Sequence, residues 1–168
     1  MNKSTEALSK DFLQQLLNGN QSMCKSISEQ YLLINPSIKD LYEEIFKTAL
    51  YEVGRLWEIN KITVADEHLA TAITEGILNE LYENFDLPDN NQKKVVLTCA
   101  QNELHQVGIK MVADVFEMHG WESDFVGTDI PLPDLIQHIK IKFTSENVTF
   151  YGNRKAITRV ARHLNSLR

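Results

Sequence analysis

Hydrophobic positions in the first half of the chain recur every three or four residues, which is the spacing of an amphipathic α-helix. Four such segments follow one another, and the third is the longest. The breaks between them fall at Asn18-Gly19, Asn35-Pro36 and Asn60-Lys61. Thr63, after the third break, is a suitable N-cap for the fourth helix. Four amphipathic helices with short connections predict an all-α four-helix bundle, which we assign to residues 1–86.

The pattern changes after the polar, turn-rich segment FDLPDNNQKK, which we interpret as a linker. Three short apolar segments then alternate with three helical ones. The predicted strands lie in KKVVLTCA, ESDFVGTDIP and NVTFYG, and the last predicted helix is RKAITRVARHLNSLR. This alternation predicts a parallel, Rossmann-like (flavodoxin-like) α/β sheet over residues 92–168. Doubly wound sheets usually have five strands, so we expect this domain to be C-terminally truncated, with three βα units.

The composition and charge of the chain exclude several function classes. The 168 residues are 43% hydrophobic and carry a net charge of −6, which is ordinary for a soluble globular protein and argues against a general nucleic-acid-binding surface. Cys24 and Cys99 form neither a CxxC pair nor a spaced cluster, and we interpret them as small buried hydrophobes. With no signal-peptide pattern and no apolar run of about 18 residues, we expect a cytoplasmic protein without membrane contact.

A histidine, His105, follows the first predicted strand at the point where the chain turns into a helix. Open parallel sheets bind ligands beyond the carboxyl ends of their strands, so His105 is a candidate ligand-binding residue. Glu103 could accept a hydrogen bond from one ring nitrogen, and Gly108 could allow a bulky group to approach the backbone. A histidine that only packs or faces solvent is the alternative. Three further histidines on helical stretches show no partner in the sequence, and we assign them to surface or packing roles: His119, His138 and His163.

A second group of candidate residues flanks the connection between the third and fourth helices. Trp57 lies near the end of the third helix, and Glu67 and His68 lie near the start of the fourth. Because the connection is short, the three side chains can converge at one end of the bundle. Each also has an ordinary structural explanation: a core indole, an acid favoured by the helix dipole, and a capping residue.

The two groups together carry a resemblance to a known family. Glu103-x-His105-x-x-Gly108 resembles the Asp-x-His-x-x-Gly signature of cobalamin-binding proteins, with Glu in place of Asp. The spacing of Trp57, nine residues, Glu67 and His68 is similar to the upper-face motif of the light-sensing CarH-type regulators. On these motifs the chain resembles proteins that join a four-helix cap to a corrinoid-binding Rossmann-like domain, and it is most similar to the cobalamin-binding region of the CarH type.

The resemblance implies a cobalamin bound between the cap and the α/β domain, with adenosylcobalamin favoured and methylcobalamin possible. It implies that His105 is the lower axial cobalt ligand, supported by its hydrogen-bond partner and by the turn that follows. The cap would cover the upper face, and His68 could ligate cobalt after loss of the adenosyl group. The full set of implied cofactor-binding residues is Trp57, Glu67, His68, Glu103, His105, Val107, Gly108, Asn147 and Thr149.

The resemblance also implies a light- or cobalamin-responsive sensor or regulator in signalling and transcription regulation. Its partner would be a second copy of the chain or a separate signalling or regulatory protein. No winged-helix segment precedes the bundle, so we expect no direct nucleic-acid domain. A corrinoid carrier for methyl transfer is the main alternative, and a degenerate scaffold that binds only partners is a third. We expect no stand-alone enzyme, because the sequence has no nucleophile elbow, phosphate loop or paired catalytic acids.

Overall fold

The computed structural model describes residues 3–99, 105–142 and 148–151. The chain divides into two compact units, Met1–Asn84 and Phe85–Arg168. The first contains only helices among the described residues, and the second contains a parallel sheet with helices. Identification of these units as a cobalamin cap and a cobalamin-binding domain stays a prediction.

The first unit, called here the helical unit, contains the predicted four helices. The first two are α1 (Lys3–Leu17) and α2 (Gln21–Ile34). The third helix consists of α3 (Ile38–Leu41), a π-helical segment (Tyr42–Phe46) and α4 (Lys47–Glu58). The fourth is α5 (Val64–Tyr82). The predicted all-α bundle is confirmed, and the π-helical segment is a feature that the sequence pattern did not indicate.

Aromatic rings fill the core of the helical unit around the π-helical segment. The ring centroid of Phe46 lies 5.2 Å from that of Phe12 in α1 and 5.8 Å from that of Tyr42. All three side chains are almost completely buried. Such ring pairs stabilise a core beyond the apolar area that they bury. The third helix is therefore held against α1 by aromatic packing.

The connection between α4 and α5 ends in a well-formed helix cap. The Thr63 side chain accepts a hydrogen bond from the Asp66 backbone N–H at 3.2 Å, and the Thr63 backbone N–H donates to the Asp66 carboxylate at 2.8 Å. This reciprocal pair is a capping box, which satisfies two backbone donors that a helix start otherwise leaves free. The cap fixes where α5 begins, and it confirms the role predicted for Thr63.

The second unit, called here the α/β unit, contains a three-stranded parallel sheet among the described residues. Its elements are β1 (Lys94–Leu97), α6 (Val107–Glu117), β2 (Glu122–Phe125), α7 (Leu132–Lys142) and β3 (Val148–Tyr151). The strand order is β2-β1-β3, and Val95 of β1 is in register with both Ser123 and Thr149. This is the order in which a flavodoxin-like sheet begins, so the predicted fold class is confirmed. The last predicted helix lies outside the described residues.

The central strand β1 is buried on both faces of the sheet. Val96 packs with Leu135 and Ile139 of α7. Val95 and Leu97 point the other way and pack with a cluster that includes Ala113 of α6. Successive side chains of a strand alternate between faces, so one helix covers each face. This arrangement leaves the carboxyl edge of the sheet as the place where polar groups collect.

Candidate functional site

Hydrogen bonds join the ends of β1 and β2 at the carboxyl edge of the sheet. The Cys99 backbone N–H donates to the Gly127 carbonyl at 3.1 Å, and the Thr98 hydroxyl donates to the same carbonyl at 3.2 Å. Gly127 has a φ of 82°, in the left-handed region that favours glycine. The loop after β2 is therefore held against the end of β1.

His105 lies at this same edge, directly before α6. Its side chain is exposed, and its backbone carbonyl accepts a hydrogen bond from the Cys99 thiol at 3.6 Å. The position of His105, past the first strand and before the first helix of the unit, is the one that the sequence indicated. This exposed side chain lies at the edge where open α/β sheets commonly bind ligands.

The two residues that open α6 differ in what they can offer a ligand. The Val107 side chain is buried in the unit, so it supports the turn and presents little surface. Gly108 has no positive φ, and a methyl group added at its α-carbon would meet no described heavy atom within 4 Å. Packing within the described residues therefore gives no reason for a glycine at position 108. Room for a ligand against the backbone would supply one.

The structure gives no description of two predicted site residues and describes only the backbone of a third. Glu103 and Asn147 lie outside the described residues. Thr149 lies in β3, where its backbone is in register with Val95 at the centre of the sheet. Their predicted roles stay predictions.

The predicted residues of the helical unit lie at the connection between α4 and α5. Trp57, in the last turn of α4, has 43% of its surface exposed, which is high for so large an apolar side chain. Glu67, near the start of α5, is only 8% exposed, whereas the side chain of His68 is 72% exposed. The short connection does bring the three residues to one end of the unit.

The Glu67 carboxylate has a defined hydrogen-bonding environment. One of its oxygens, Oε1, accepts a hydrogen bond from the Thr71 hydroxyl at 3.0 Å, and the other, Oε2, lies 3.5 Å from His68 Nε2. A buried carboxylate is costly unless donors surround it, so this placement is not explained by the helix dipole alone. The sequence pattern did not single out Thr71, although its spacing of four residues after Glu67 puts both on one helix face.

His138, assigned to a surface or packing role, has a partner that the sequence did not show. His138 Nε2 in α7 lies 3.0 Å from Asp124 Oδ2 in β2, and Lys142 Nζ lies 3.8 Å from the same oxygen. Asp124 is in register with Val96, whose side chain faces α7, so it points toward that helix. The i,i+4 spacing of His138 and Lys142 was visible in the sequence, but their acidic partner lies on another element.

Nowhere in the described part of the chain do three His, Cys, Asp or Glu side chains gather as a metal site. None of the described helices is long and apolar enough to cross a membrane.

The fold, a helical bundle followed by a parallel α/β sheet, agrees with the resemblance to cobalamin-binding proteins that the sequence predicted. Residues 8–82 match the family described as B12 binding domain. The matched stretch is less than half of the chain, and together with the relatives described next it confirms the predicted resemblance to cobalamin-binding proteins.

Two curated relatives have related sequences. The HTH-type transcriptional repressor CarH of Myxococcus xanthus is 27% identical over 116 residues, which are 69% of this chain and 38% of that protein. Dimethylamine corrinoid protein 3 of Methanosarcina acetivorans is 27% identical over 106 residues, which are 61% of this chain and 48% of that protein. The chain thus spans less than half the length of either relative.

Solved structures show the same fold at low sequence identity. The monomethylamine corrinoid protein of Methanosarcina barkeri has a TM-score of 0.74 at 13% identity, covering 97% of this chain and 79% of that one. The methanol:cobalamin methyltransferase complex MtaBC of the same organism has a TM-score of 0.51 at 14% identity, covering 95% of this chain and 63% of that chain. At these identities the likeness establishes the fold alone.

Proposed function

We propose that this chain binds adenosylcobalamin between its helical cap and its α/β domain and acts as a light- or cobalamin-responsive sensor. The observation that carries the proposal is the group at the α4–α5 connection, within the B12-binding region. At this end of the helical unit the Glu67 carboxylate is buried, whereas the Trp57 indole and the His68 imidazole are exposed. A helical bundle that only needed a stable core would bury the indole and expose the carboxylate.

The proposed lower side of the site is formed by His105, Gly108 and the partner proposed for His105, Glu103. A bound corrin would bring its own nitrogen donors to cobalt, so the chain would have to supply only a further donor, and the imidazole of His105 could be that donor. The open space at Gly108 fits a bulky group that approaches the backbone. Val107 supports this turn from the core. Thr149 in β3 and Asn147, the residue before β3, are proposed to contribute further contacts to the cofactor.

The proposed upper side is formed by Trp57, Glu67 and His68. Bound cofactor would supply a cobalt–carbon bond that must be kept from water, and an exposed indole is a large, flat cover. A carboxylate can accept hydrogen bonds from sugar hydroxyls or from an amino group of a base, and an imidazole can both donate and accept them. His68, which is well exposed, is proposed as an upper cobalt ligand after the adenosyl group has left.

A sensor role requires a readout outside the chain. We propose a second copy of the chain or a separate regulatory protein as the partner. The related protein CarH is a transcriptional repressor, which supports a regulatory role. The two chains are 27% identical over part of the length of CarH.

A corrinoid carrier for methyl transfer is the second candidate. It is favoured by the related dimethylamine corrinoid protein and by the fold shared with a methanol:cobalamin methyltransferase complex. A carrier docks on a separate methyltransferase and presents a methyl group. That small group has no hydrogen-bond donors, so a carrier gives no role to the buried Glu67 carboxylate.

The absorbance spectrum of the full chain mixed with adenosylcobalamin in the dark tests cofactor binding. We expect the parent to show the histidine-bound spectrum and His105→Ala to lose it. His119→Ala is the matched control, since His119 belongs to the same unit and its Nδ1 lies 2.7 Å from the Val115 carbonyl of its own helix. A parent spectrum identical to that of free cofactor would overturn the proposal.

Two further measurements separate the sensor from the carrier. Illumination of the loaded chain followed by sizing chromatography should change its elution if it is a sensor. Loading with methylcobalamin and incubation with a methyl acceptor and its methyltransferase should show turnover if it is a carrier. Turnover without any light-dependent change in size would favour the carrier over the sensor.

A further inference from the structure

Two threonines in α5 use their hydroxyl groups differently. Thr74 donates to the Ala70 carbonyl at 2.9 Å, which is the usual bond of a helical threonine to the residue four positions earlier. Thr71 instead donates to the side chain of Glu67, at 3.0 Å from Oε1. Thr71 therefore supports a carboxylate, whereas Thr74 only returns a bond to its own helix.

The bond from Thr71 restricts how the Glu67 carboxylate can be oriented. With Oε1 on the Thr71 side, Oε2 lies 3.5 Å from the exposed His68 imidazole. The side chain is 10% exposed, so few water molecules can replace a lost donor. Loss of that hydrogen bond would therefore leave a buried charge less well satisfied. Loss of the hydroxyl should allow the carboxylate to rotate or to move toward solvent.

We propose that Thr71 is a positioning residue that aligns Glu67 for hydrogen bonds with the upper ligand of the corrinoid. This inference rests on the proposed function and adds a determinant of specificity to it. An adenosyl group carries sugar hydroxyls that can donate to the aligned carboxylate, and a methyl group carries no such donor. Thr71 thus sets a preference for adenosylcobalamin over methylcobalamin.

The test compares dissociation constants of the full chain for adenosylcobalamin and methylcobalamin in the dark. Thr71→Val keeps the shape of the side chain but removes the hydroxyl, and we expect adenosylcobalamin to bind about tenfold more weakly. Methylcobalamin binding should change less than about twofold, since it makes no bond that depends on Glu67. Thr71→Ser, which restores a hydroxyl, should recover most of the affinity.

Two further variants complete the test. Thr74→Val removes a hydroxyl one turn away that does not contact Glu67, and it should leave both affinities as in the parent. In a Glu67→Gln background the effect of Thr71→Val should be much smaller, because the group that it positions has changed. Circular dichroism of each variant would show whether α5 is intact.

The outcomes distinguish this inference from the proposed function. Equal weakening of both cofactors by Thr71→Val, or no weakening of either, would overturn the role of Thr71 while leaving cobalamin binding in place. An undiminished effect in the Glu67→Gln background would overturn it as well. A parent that binds neither cofactor would overturn the proposed function together with the inference.

Discussion

The two units of the chain present their candidate site residues in different ways. In the helical unit these residues belong to regular helices, and the buried carboxylate of Glu67 is supported by a neighbour one turn away. In the α/β unit His105 lies in a connection between a strand and a helix, where it is held at the backbone by Cys99. In the helical unit a hydrogen bond between two side chains orients the candidate carboxylate, whereas in the α/β unit the hydrogen bond from Cys99 holds the backbone of His105.

The largest expected effect tests whether the two units unfold independently. Phe46→Ala removes the ring that packs on Phe12 and Tyr42, and we expect it to lower the free energy of unfolding of the helical unit by about 3–5 kcal/mol. Leu97→Ala, at a fully buried position of β1, should cost the α/β unit about 2–5 kcal/mol.

Tryptophan fluorescence can report on each unit separately. Trp57 belongs to the helical unit and Trp121 to the α/β unit. A Trp121→Phe background therefore reports on the helical unit through Trp57, and a Trp57→Phe background reports on the α/β unit through Trp121. If Phe46→Ala shifts the urea midpoint of the Trp121 signal as much as that of the Trp57 signal, the two units unfold together, and the comparison between them does not hold for stability.

A smaller effect is expected from a buried hydroxyl in the helical unit. Tyr31 is 1% exposed and donates to the Glu44 carboxylate at 2.7 Å, and burial followed by this bond raises the pKa of Tyr31 to about 12. Tyr31→Phe should lower the free energy of unfolding by about 1–3 kcal/mol in a urea titration, because the Glu44 carboxylate loses a donor. Tyr51→Phe, at an exposed tyrosine, is the control and should change stability by less than about 0.5 kcal/mol. Equal effects of the two changes would contradict the role of this bond.

We expect Gly54→Ala to raise the stability of the free chain and to weaken cobalamin binding. It lies inside α4, three residues before Trp57, and an added methyl group would meet no described heavy atom within 4 Å. Gly54→Ala should therefore raise the free energy of unfolding of the free chain by about 0.5–1 kcal/mol. If cofactor approaches this face, the same change should weaken cobalamin binding.

The matched change in the other unit is Gly108→Ala, which also meets open space. Thermal unfolding and cobalamin titration of both variants give the comparison directly. Weaker binding in Gly108→Ala alone would indicate that the cofactor approaches the backbone at Gly108 and not at Gly54. Unchanged binding in both would mean that neither glycine is needed for cofactor access.

The smallest expected effect concerns pH and the start of α5. Hydrogen bonds from the Thr63 hydroxyl, and then from its backbone N–H, hold the pKa of the exposed Asp66 carboxyl below its ordinary value of 3.8. Because the pKa is lower in the folded chain, the stabilisation by Asp66 is present above pH 3.8 and is lost as the pH falls through the folded value. Asp66→Asn should lose this stabilisation at neutral pH. The difference in melting temperature between parent and variant should then shrink in acid, and a difference independent of pH would contradict the mechanism.

Patterns that are local in the sequence could be predicted, and contacts between elements could not. The apolar spacing predicted the four helices, and the residue type of Thr63 predicted the N-cap of the fourth. The π-helical segment escaped prediction because Tyr42, Ile45 and Phe46 fit the spacing of an ordinary α-helix equally well.

The same limit applies to the candidate site. His105 was found because the end of an apolar strand marks a position that parallel sheets use for ligands. The pair of Asp124 and His138 was missed because it joins a strand to a helix across 14 positions of sequence, and only the packed structure shows which face each occupies. Thr71 was missed for a different reason. Its spacing from Glu67 was visible, but nothing in the sequence showed that the carboxylate would be buried.

Each unit contains one native cysteine, and both thiols are sheltered from solvent. Burial raises the pKa of Cys24 in the helical unit to about 11, while Cys99 in the α/β unit donates to the carbonyl of His105. Reagents that alkylate thiols should therefore modify either one only when its surroundings open transiently. Mass spectrometry of the unmutated chain could time the two openings separately, and added corrinoid should slow the labelling at Cys99 if it binds next to His105.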